Sequence, residues 1–346
     1  MNIAIEFGGS EFRSLRREAG RLLARRVSTD YLVLEDSEAR RRLLERQGDE
    51  VAHCDQGMIV YGNAANDLAE ILSLPMQSAL DDGKIRNNDP VSRQFLGALV
   101  EGLIPPAANQ QSSTCTVISS QAVADENDQN LQDDLGFLLR LVKLQGYQPS
   151  VISPGMGLIL SECADIGFSG IAIKMGAARM DVSIVYQTRE LARFFLPRGG
   201  IHVDRQLAVT DHQFVRLKDG REVLDTRPIR LWREGVKSLN SISDSRTLEL
   251  RNQYREIIRL GLYRMRQELS TSLIAQLPGT LPLIIGGPMA GPTGIEMLFQ
   301  EAIDDVDLPI QIKSVRTVQD VAFSVLRGGL IAGELDHPDL LSTFAA

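Results

Sequence analysis

Only three cysteines occur in the 346 residues, Cys54, Cys115 and Cys163, with no CxxC pair and no Cys/His cluster. An odd, widely spaced set of thiols excludes a disulfide scaffold and a structural zinc site, and reads as free thiols in a reducing compartment. Aromatic residues make up 5% of the chain, with a single tryptophan, Trp232. No run approaches the about 18 consecutive apolar residues of a membrane-crossing helix. The first residues read as a short strand and a glycine turn, not as a basic segment followed by an apolar leader. Basic charge is not in excess: 37 Lys+Arg face 45 Asp+Glu, for a net charge of -8, which argues against a nucleic-acid partner. There is no GxxxxGK[ST] loop and no GxGxxG. Ser112-Ser113 and Ser119-Ser120 form no nucleophile elbow, and His53, His202, His212 and His337 show no ligand spacing. Asp125–Asp128 lacks the spacing and glycine of a calcium loop and reads as an acidic helix start.

What is present is ordinary globular composition, 43% hydrophobic and 24% charged, at a length that suits two domains or one bilobed domain. Strands and helices alternate. Met1–Phe7, Phe12–Arg17, Tyr31–Glu35, Met58–Tyr61, Thr114–Ser119, Ile171–Lys174, Val182–Tyr186, Leu281–Ile285 and Ile310–Val315 read as strands. Helices are expected at Ser37–Gln47, Asn63–Leu72 with Asn63 as cap, Pro90–Leu103, Gln129–Gln145, Thr247–Leu269, Gly294–Ile303 and Thr317–Leu330. In the long helix Leu250, Tyr254, Ile257, Gly261 and Met265 recur at helical spacing. Asp211–Ser245 is polar, carries the hairpin signal Asp219-Gly220, and reads as an elaborated subdomain. The arginine run Arg13–Arg26 reads as a solvated face. A strand–glycine turn–strand pattern stands both at residue 1 and near residue 170, which predicts an α/β chain of two related lobes facing one cleft.

Three glycine turns end apolar strands: Gly8-Gly9-Ser10, Gly176-Ala177-Ala178 and Gly286-Gly287-Pro288. Such turns bring backbone N–H groups close to a phosphate. Their order and setting resemble the bacterial actin MreB, within the actin and heat-shock-chaperone ATPase superfamily. Ile5-Glu6-Phe7-Gly8-Gly9-Ser10 is similar to the family's first phosphate motif. Tyr61-Gly62-Asn63-Ala64-Ala65 and Leu80-Asp81-Asp82-Gly83-Lys84-Ile85 resemble segments of the first lobe. Arg198-Gly199-Gly200 with Asp204 resembles the Gly-Gly-x-x-x-Asp turn. Glu234 and Lys237 are similar to the pair that reaches the nucleoside, and Gly286-Gly287-Pro288 with Gly291 and Gly294 to the adenosine motif. The matches follow family order from residue 3 to about 330.

The resemblance implies a bilobed actin-like α/β fold. Its first lobe would span 1–150, with a small subdomain at about 31–74, completed by the C-terminal helix 317–346. Its second lobe would span 151–316, with a small subdomain at about 201–245. The resemblance also implies ATP or ADP with Mg, bound by Glu6, Gly8, Gly9, Ser10, Lys174, Gly176, Arg179, Asp181, Gly199, Gly200, Asp204, Glu234, Lys237, Gly286, Gly287 and Pro288. Glu6 would be linked to the metal, in place of the family's shorter Asp.

The departures from the family pattern bear on chemistry. The second phosphate motif reads Lys174-Met175-Gly176-Ala177-Ala178-Arg179-Met180-Asp181, with alanines for two glycines and Lys174 for the metal-side Asp. An alanine at a positive φ would be strained and would crowd a phosphate. Lys174 and Arg179 either replace part of the metal's charge against phosphate oxygens or are solvated or salt-bridged bases. The stretch Val151–Met156 has no carboxylate where the family places its water-activating Glu, which costs hydrolysis about 10²–10⁴-fold. Glu162 reads as a surface or capping residue. No residue is read as catalytic, and any ATPase activity would be slow.

The resemblance therefore implies a cytoskeletal or scaffold protein of the cytoplasm that assembles head to tail with itself and hydrolyses ATP poorly. The alternative is a non-polymerising actin-fold adaptor of a membrane or pilus-assembly complex. A small-molecule kinase ranks below both, because it needs an acidic base and a preserved phosphate turn. Leu103 and Ile104, in a loop that serves membrane attachment in the family, raise the expectation of contact with the inner face of the membrane.

Overall fold

The computed structural model describes residues 2–47, 51–54, 57–72, 74–86, 89–109, 113–120, 129–216 and 220–336. Asp125–Asp128, Ser112, Asp219 and His337 lie outside them.

Two five-stranded sheets share one topology. In the first the strands lie in the order Arg21–Ser28, Glu11–Glu18, Asn2–Phe7, Thr114–Ile118, Gln148–Ile152. In the second the order is Arg189–Leu196, Met180–Tyr186, Gly170–Met175, Thr280–Gly286, Gln311–Thr317. In each, the first three strands are antiparallel and the last three parallel. The chain is thus the bilobed α/β fold that the duplicated strand–turn–strand pattern predicts. The two opening hairpins, Asn2–Glu18 and Gly170–Tyr186, point their turns into the cleft between the lobes.

The central strands are apolar because both faces are covered. Ile3, Ala4 and Ile5 in one, and Ile171, Ala172 and Ile173 in the other, are fully buried. One face of the first sheet packs on the helix Pro90–Leu103, in a core with Phe12, Tyr31, Phe95 and Leu99. One face of the second packs on the helix Ser245–Glu268, whose Leu250, Tyr254, Ile257, Gly261 and Met265 are buried, as their spacing predicts. That helix begins at a capping box: Asp244 Oδ1 accepts from Thr247 N at 2.8 Å, and Thr247 Oγ1 accepts from Asp244 N at 3.1 Å.

The remaining faces meet through two helices, Pro154–Glu162 and Ser324–Asp336, which join both sheets in one core with Ala4, Ile118, Ala172 and Ile284. They cross so closely that a Cβ on Gly328 would lie 1.8 Å from the Gly157 carbonyl oxygen, and one on Gly157 would lie 2.7 Å from that of Val325. Only glycine permits that approach, and it makes the crossing the junction of the lobes.

Smaller pieces flank the cleft mouth. One is the four-stranded sheet Val51–Cys54, Gly57–Tyr61, Asp30–Leu34, Gln77–Ser78 with the helix Gly62–Leu72. The other includes the hairpin Phe214–Arg216/Glu222–Leu224.

Four sequence expectations change. Thr317 ends a strand, and the last helix runs Ser324–Asp336. The helix expected to start at a capping Asn63 begins at Gly62, so Asn63 lies inside it. Arg13 is not part of a solvated face: it is 6% exposed, because the sheet is covered on both sides there. Leu103 and Ile104 are fully buried, both in the core beneath the helix Pro90–Leu103. The expected membrane contact through them is corrected accordingly, since neither presents apolar surface to a bilayer.

Candidate functional site

The two hairpin turns are built alike. Gly8 N donates to Glu11 O at 3.2 Å, and Gly176 N donates to Arg179 O at 2.9 Å. Neither Ala177 nor Ala178 has a positive φ, so the strain expected at these alanines is absent. What Ala178 does is fill space. A Cβ on Gly9 would lie 2.6 Å from the Ala178 Cβ, and one on Gly83 3.0 Å from it. Three turns, from Gly9, Gly83 and Ala178, thus close on one methyl group.

The helix Gly200–Thr210 starts beside this seam. A helix N-terminus offers unpaired N–H groups to an anion. Here Gly200 N donates to Gly176 O at 3.1 Å and Ile201 N to Ala177 O at 2.8 Å. The second turn has folded onto the donors. Gly199 makes room for it, since a Cβ there would lie 2.4 Å from Gly176 O. The cavity left between Gly9, Gly83, Ser120, Lys174, Arg179 and Asp181 is 20 Å³, about enough for one water.

Behind the turns lies a buried set of charges. Lys174 Nζ stands 2.5 Å from Glu6 Oε1, and Arg13 Nη1 stands 3.7 Å from Glu6 Oε2. Arg13 Nη2 also donates to Glu11 at 2.7 Å. Ser120 Oγ donates to Asp181 Oδ2 at 2.8 Å. The Arg179 guanidinium lies 4.9 Å over the Phe195 ring. Burial pushes the Glu6 carboxyl up, but Lys174 and Arg13 outweigh it and hold Glu6 below the usual range. Burial dominates at Asp181 and raises it, against the pull of Lys174, Arg179 and Ser120.

The other sequence-picked residues sit around this centre. Asp204 receives a bidentate pair from Arg233, Nε at 2.6 Å and Nη2 at 3.0 Å, both residues buried. Arg233 Nη2 would lie 3.0 Å from a Cβ on Gly200, so its guanidinium fills the space beside that helix start. Glu234 and Lys237 are exposed near the end of the helix Arg227–Gly235. Gly286 ends its strand, Gly287 turns at φ 91°, and Pro288 opens a short helical turn. A Cβ on Gly287 would lie 3.0 Å from Lys174 Cγ. Ser10 lines a larger cavity of 440 Å³ at the cleft mouth, as do Arg86, Met76 and Leu224.

A magnesium-bound triphosphate between the turns does not fit these residues. Ala178 occupies the gap, two N–H donors of the helix start are taken, and a one-water cavity has no room for a phosphate. Glu6 is the expected metal residue, but an ammonium already sits against its carboxylate. The metal role of Glu6 is corrected on that ground. Among the described residues no three His, Cys, Asp or Glu side chains are grouped to hold a metal ion.

Among the described residues, the one carboxylate hydrogen-bonded to the Val151–Met156 stretch is already engaged. Glu190 does reach Ser153, whose Oγ donates to it, but Ser153 caps the helix Pro154–Glu162 and Glu190 also pairs with Arg193 at 3.7 Å. Glu162, at the other end of that helix, pairs with Arg316 at 3.2 Å.

Several members of the site carry no sequence signal because their partners are remote. Arg230 pairs with Asp30 at 2.5 Å, and Arg205 with Asp82 at 2.8 Å and Asp81 at 3.8 Å, all across the mouth. Arg227 Nη1 donates to Asn66 O at 3.4 Å. In the sequence Arg13 is one of many arginines, although its place two residues from Glu11 on a strand is a local cue to pairing.

The family model Volactin matches residues 1–333. No curated protein matches the sequence. Among solved structures, the chain is similar to MamK in a double helical filament, at 14% identity and a TM-score of 0.66, covering 96% of this chain and 99% of that one. It is equally similar to MreB 5 of Spiroplasma citri bound to AMPPNP, at 14% identity and a TM-score of 0.66, covering 99% and 98%. The ADP-bound form of MreB 5 gives 13% identity and a TM-score of 0.64, covering 98% of each chain. The fold is therefore actin-like and of the MreB type over almost its whole length.

Proposed function

The chain belongs to the Volactin family, and on that premise we propose that it is an actin-like cytoskeletal or scaffold protein of the cytoplasm that assembles head to tail with copies of itself and is not an effective ATPase. One observation carries the reading. The fold is coextensive with the subunit of a double helical filament, while the place for phosphates is filled by Ala178 and two N–H donors of the helix start beside it are taken. A head-to-tail contact between copies that does not close into a ring repeats into a filament. In this reading the first lobe is residues 1–150 with the C-terminal helix, the second 151–316, and the small pieces about 31–74 and 201–245 flank the mouth. Although the MreB 5 structures hold AMPPNP or ADP, nucleotide is in this reading at most a weak ligand, reached from the side of Glu234, Lys237 and Gly286–Pro288.

Electron microscopy of the purified chain over a rising concentration series tests this directly. Filaments are expected above a critical concentration. A particle that stays monomeric or dimeric at every concentration would instead support the non-polymerising adaptor.

A further inference from the structure

The two hairpins can be superposed position by position through their registers. Phe7 pairs with Phe12 and Met175 with Met180 as the last pair before each turn. Each turn then holds four residues closed by the same N–H···O bond, Gly8 to Glu11 and Gly176 to Arg179. Glu6 and Lys174 are therefore equivalent positions, one pair before the last. So are their cross-strand partners, Arg13 and Asp181. So are the final turn residues, Glu11 and Arg179.

At all three positions the charge is reversed between the lobes. Glu6, Glu11 and Arg13 in the first hairpin face Lys174, Arg179 and Asp181 in the second. The six charges sum to zero. Two carboxylates facing one another across such a pseudo-twofold repel unless a cation or a shared proton lies between them. A carboxylate facing an ammonium needs none, and here the two are 2.5 Å apart, 3% and 6% exposed at the side chain.

We propose that this charge-reversed pair of hairpins is a built-in clasp, in which Lys174 supplies the charge that a bound divalent metal would otherwise bring, so that the lobes are held closed by the chain's own side chains without nucleotide or metal. Ser120 on Asp181 joins the same seam from the first lobe. Ala178 between Gly9 and Gly83 gives it a packed apolar contact. Asp30–Arg230 and Asp82–Arg205 extend it to the mouth. The clasp is a property of the single subunit and does not depend on assembly.

Thermal unfolding and small-angle X-ray scattering test it, on the full chain at concentrations too low for assembly. For the wild type, Mg-ATP at millimolar concentration is expected to move Tm by less than about 1 °C, and EDTA to leave both Tm and the radius of gyration unchanged. A ligand that bound the closed form and saturated it a hundredfold would raise Tm by several degrees, and that result would overturn the proposal. Lys174→Met leaves Glu6 without its nearest partner, and is expected to lower Tm by about 5–10 °C and enlarge the radius of gyration. Adding Glu6→Gln should recover most of the lost Tm, since it removes the stranded charge. The exchange E6K with K174E should recover both Tm and radius. A Lys174→Met variant with wild-type Tm and radius would also overturn the clasp. If the single variant does not fold, the double variants and the wild-type nucleotide series still decide.

Discussion

Ala178 and Gly9 compete for one small volume, and that contact is the most local statement of why the cleft is shut. Gly9→Ala would bring two methyl carbons to 2.6 Å, and is expected to cost about 1–3 kcal/mol in urea unfolding. Glu6 gives the matching electrostatic prediction. Its folded value lies below the ordinary 4.5, so its ionisation stabilises the fold above the unfolded value and the benefit is lost as pH falls through the folded one. Stability should therefore drop on acidification below about pH 4–5, more steeply in the wild type than in Glu6→Gln, as pH-dependent Tm measurements would register. Asp181 contributes with the opposite sign, because burial raises it, and it partly offsets the drop. Lys174, Arg13, Glu11 and Arg179 are the other charges around these two groups. Residue by residue, the sequence displays the types but not the pairings. Lys174 is plainly a base where an acid would suit a metal, yet whether it meets a phosphate or a carboxylate depends on a partner 168 positions away in the other lobe.

Hairpins and helices were more legible than side-chain partners. Glycine turns after apolar runs mark both opening hairpins, and the 3.6-residue period marks the helix Ser245–Glu268, because these signals are set by neighbours in sequence. The strand Arg21–Ser28 gives no such signal: it is a sheet edge with six exposed residues in a row, so alternation is lost. The start of the last helix is misplaced for a similar reason. Thr317 continues the strand through its pairing with Ile285, and the helix waits for Asp320, whose Oδ1 accepts from Ala322 N and Phe323 N. The crossing of Pro154–Glu162 with Ser324–Asp336 yields a sharper test of how elements join the lobes. Gly328→Ala would place its Cβ 1.8 Å from Gly157 O, against backbone that has no rotamer to yield. The variant is expected to lose more than about 3 kcal/mol and to show raised amide exchange in both helices, while Gly102→Ala, which meets no atom within 4 Å, should behave as wild type.

For the whole molecule, two lobes of one topology are joined at a glycine crossing behind and meet through paired charges in front. If the proposed clasp holds, the subunit needs no nucleotide to set its closed shape, and the proposed self-association would follow from surface complementarity at fixed conformation. The measurement that tests this most directly is the critical concentration for pelleting, determined in parallel with Mg-ATP and with EDTA after enzymatic removal of nucleotide. The same critical concentration, within about twofold, and filaments of the same form are expected in both. Filaments that appear only with Mg-ATP would contradict it, and would mean that the seam at Lys174 and Ala178 opens to admit phosphate.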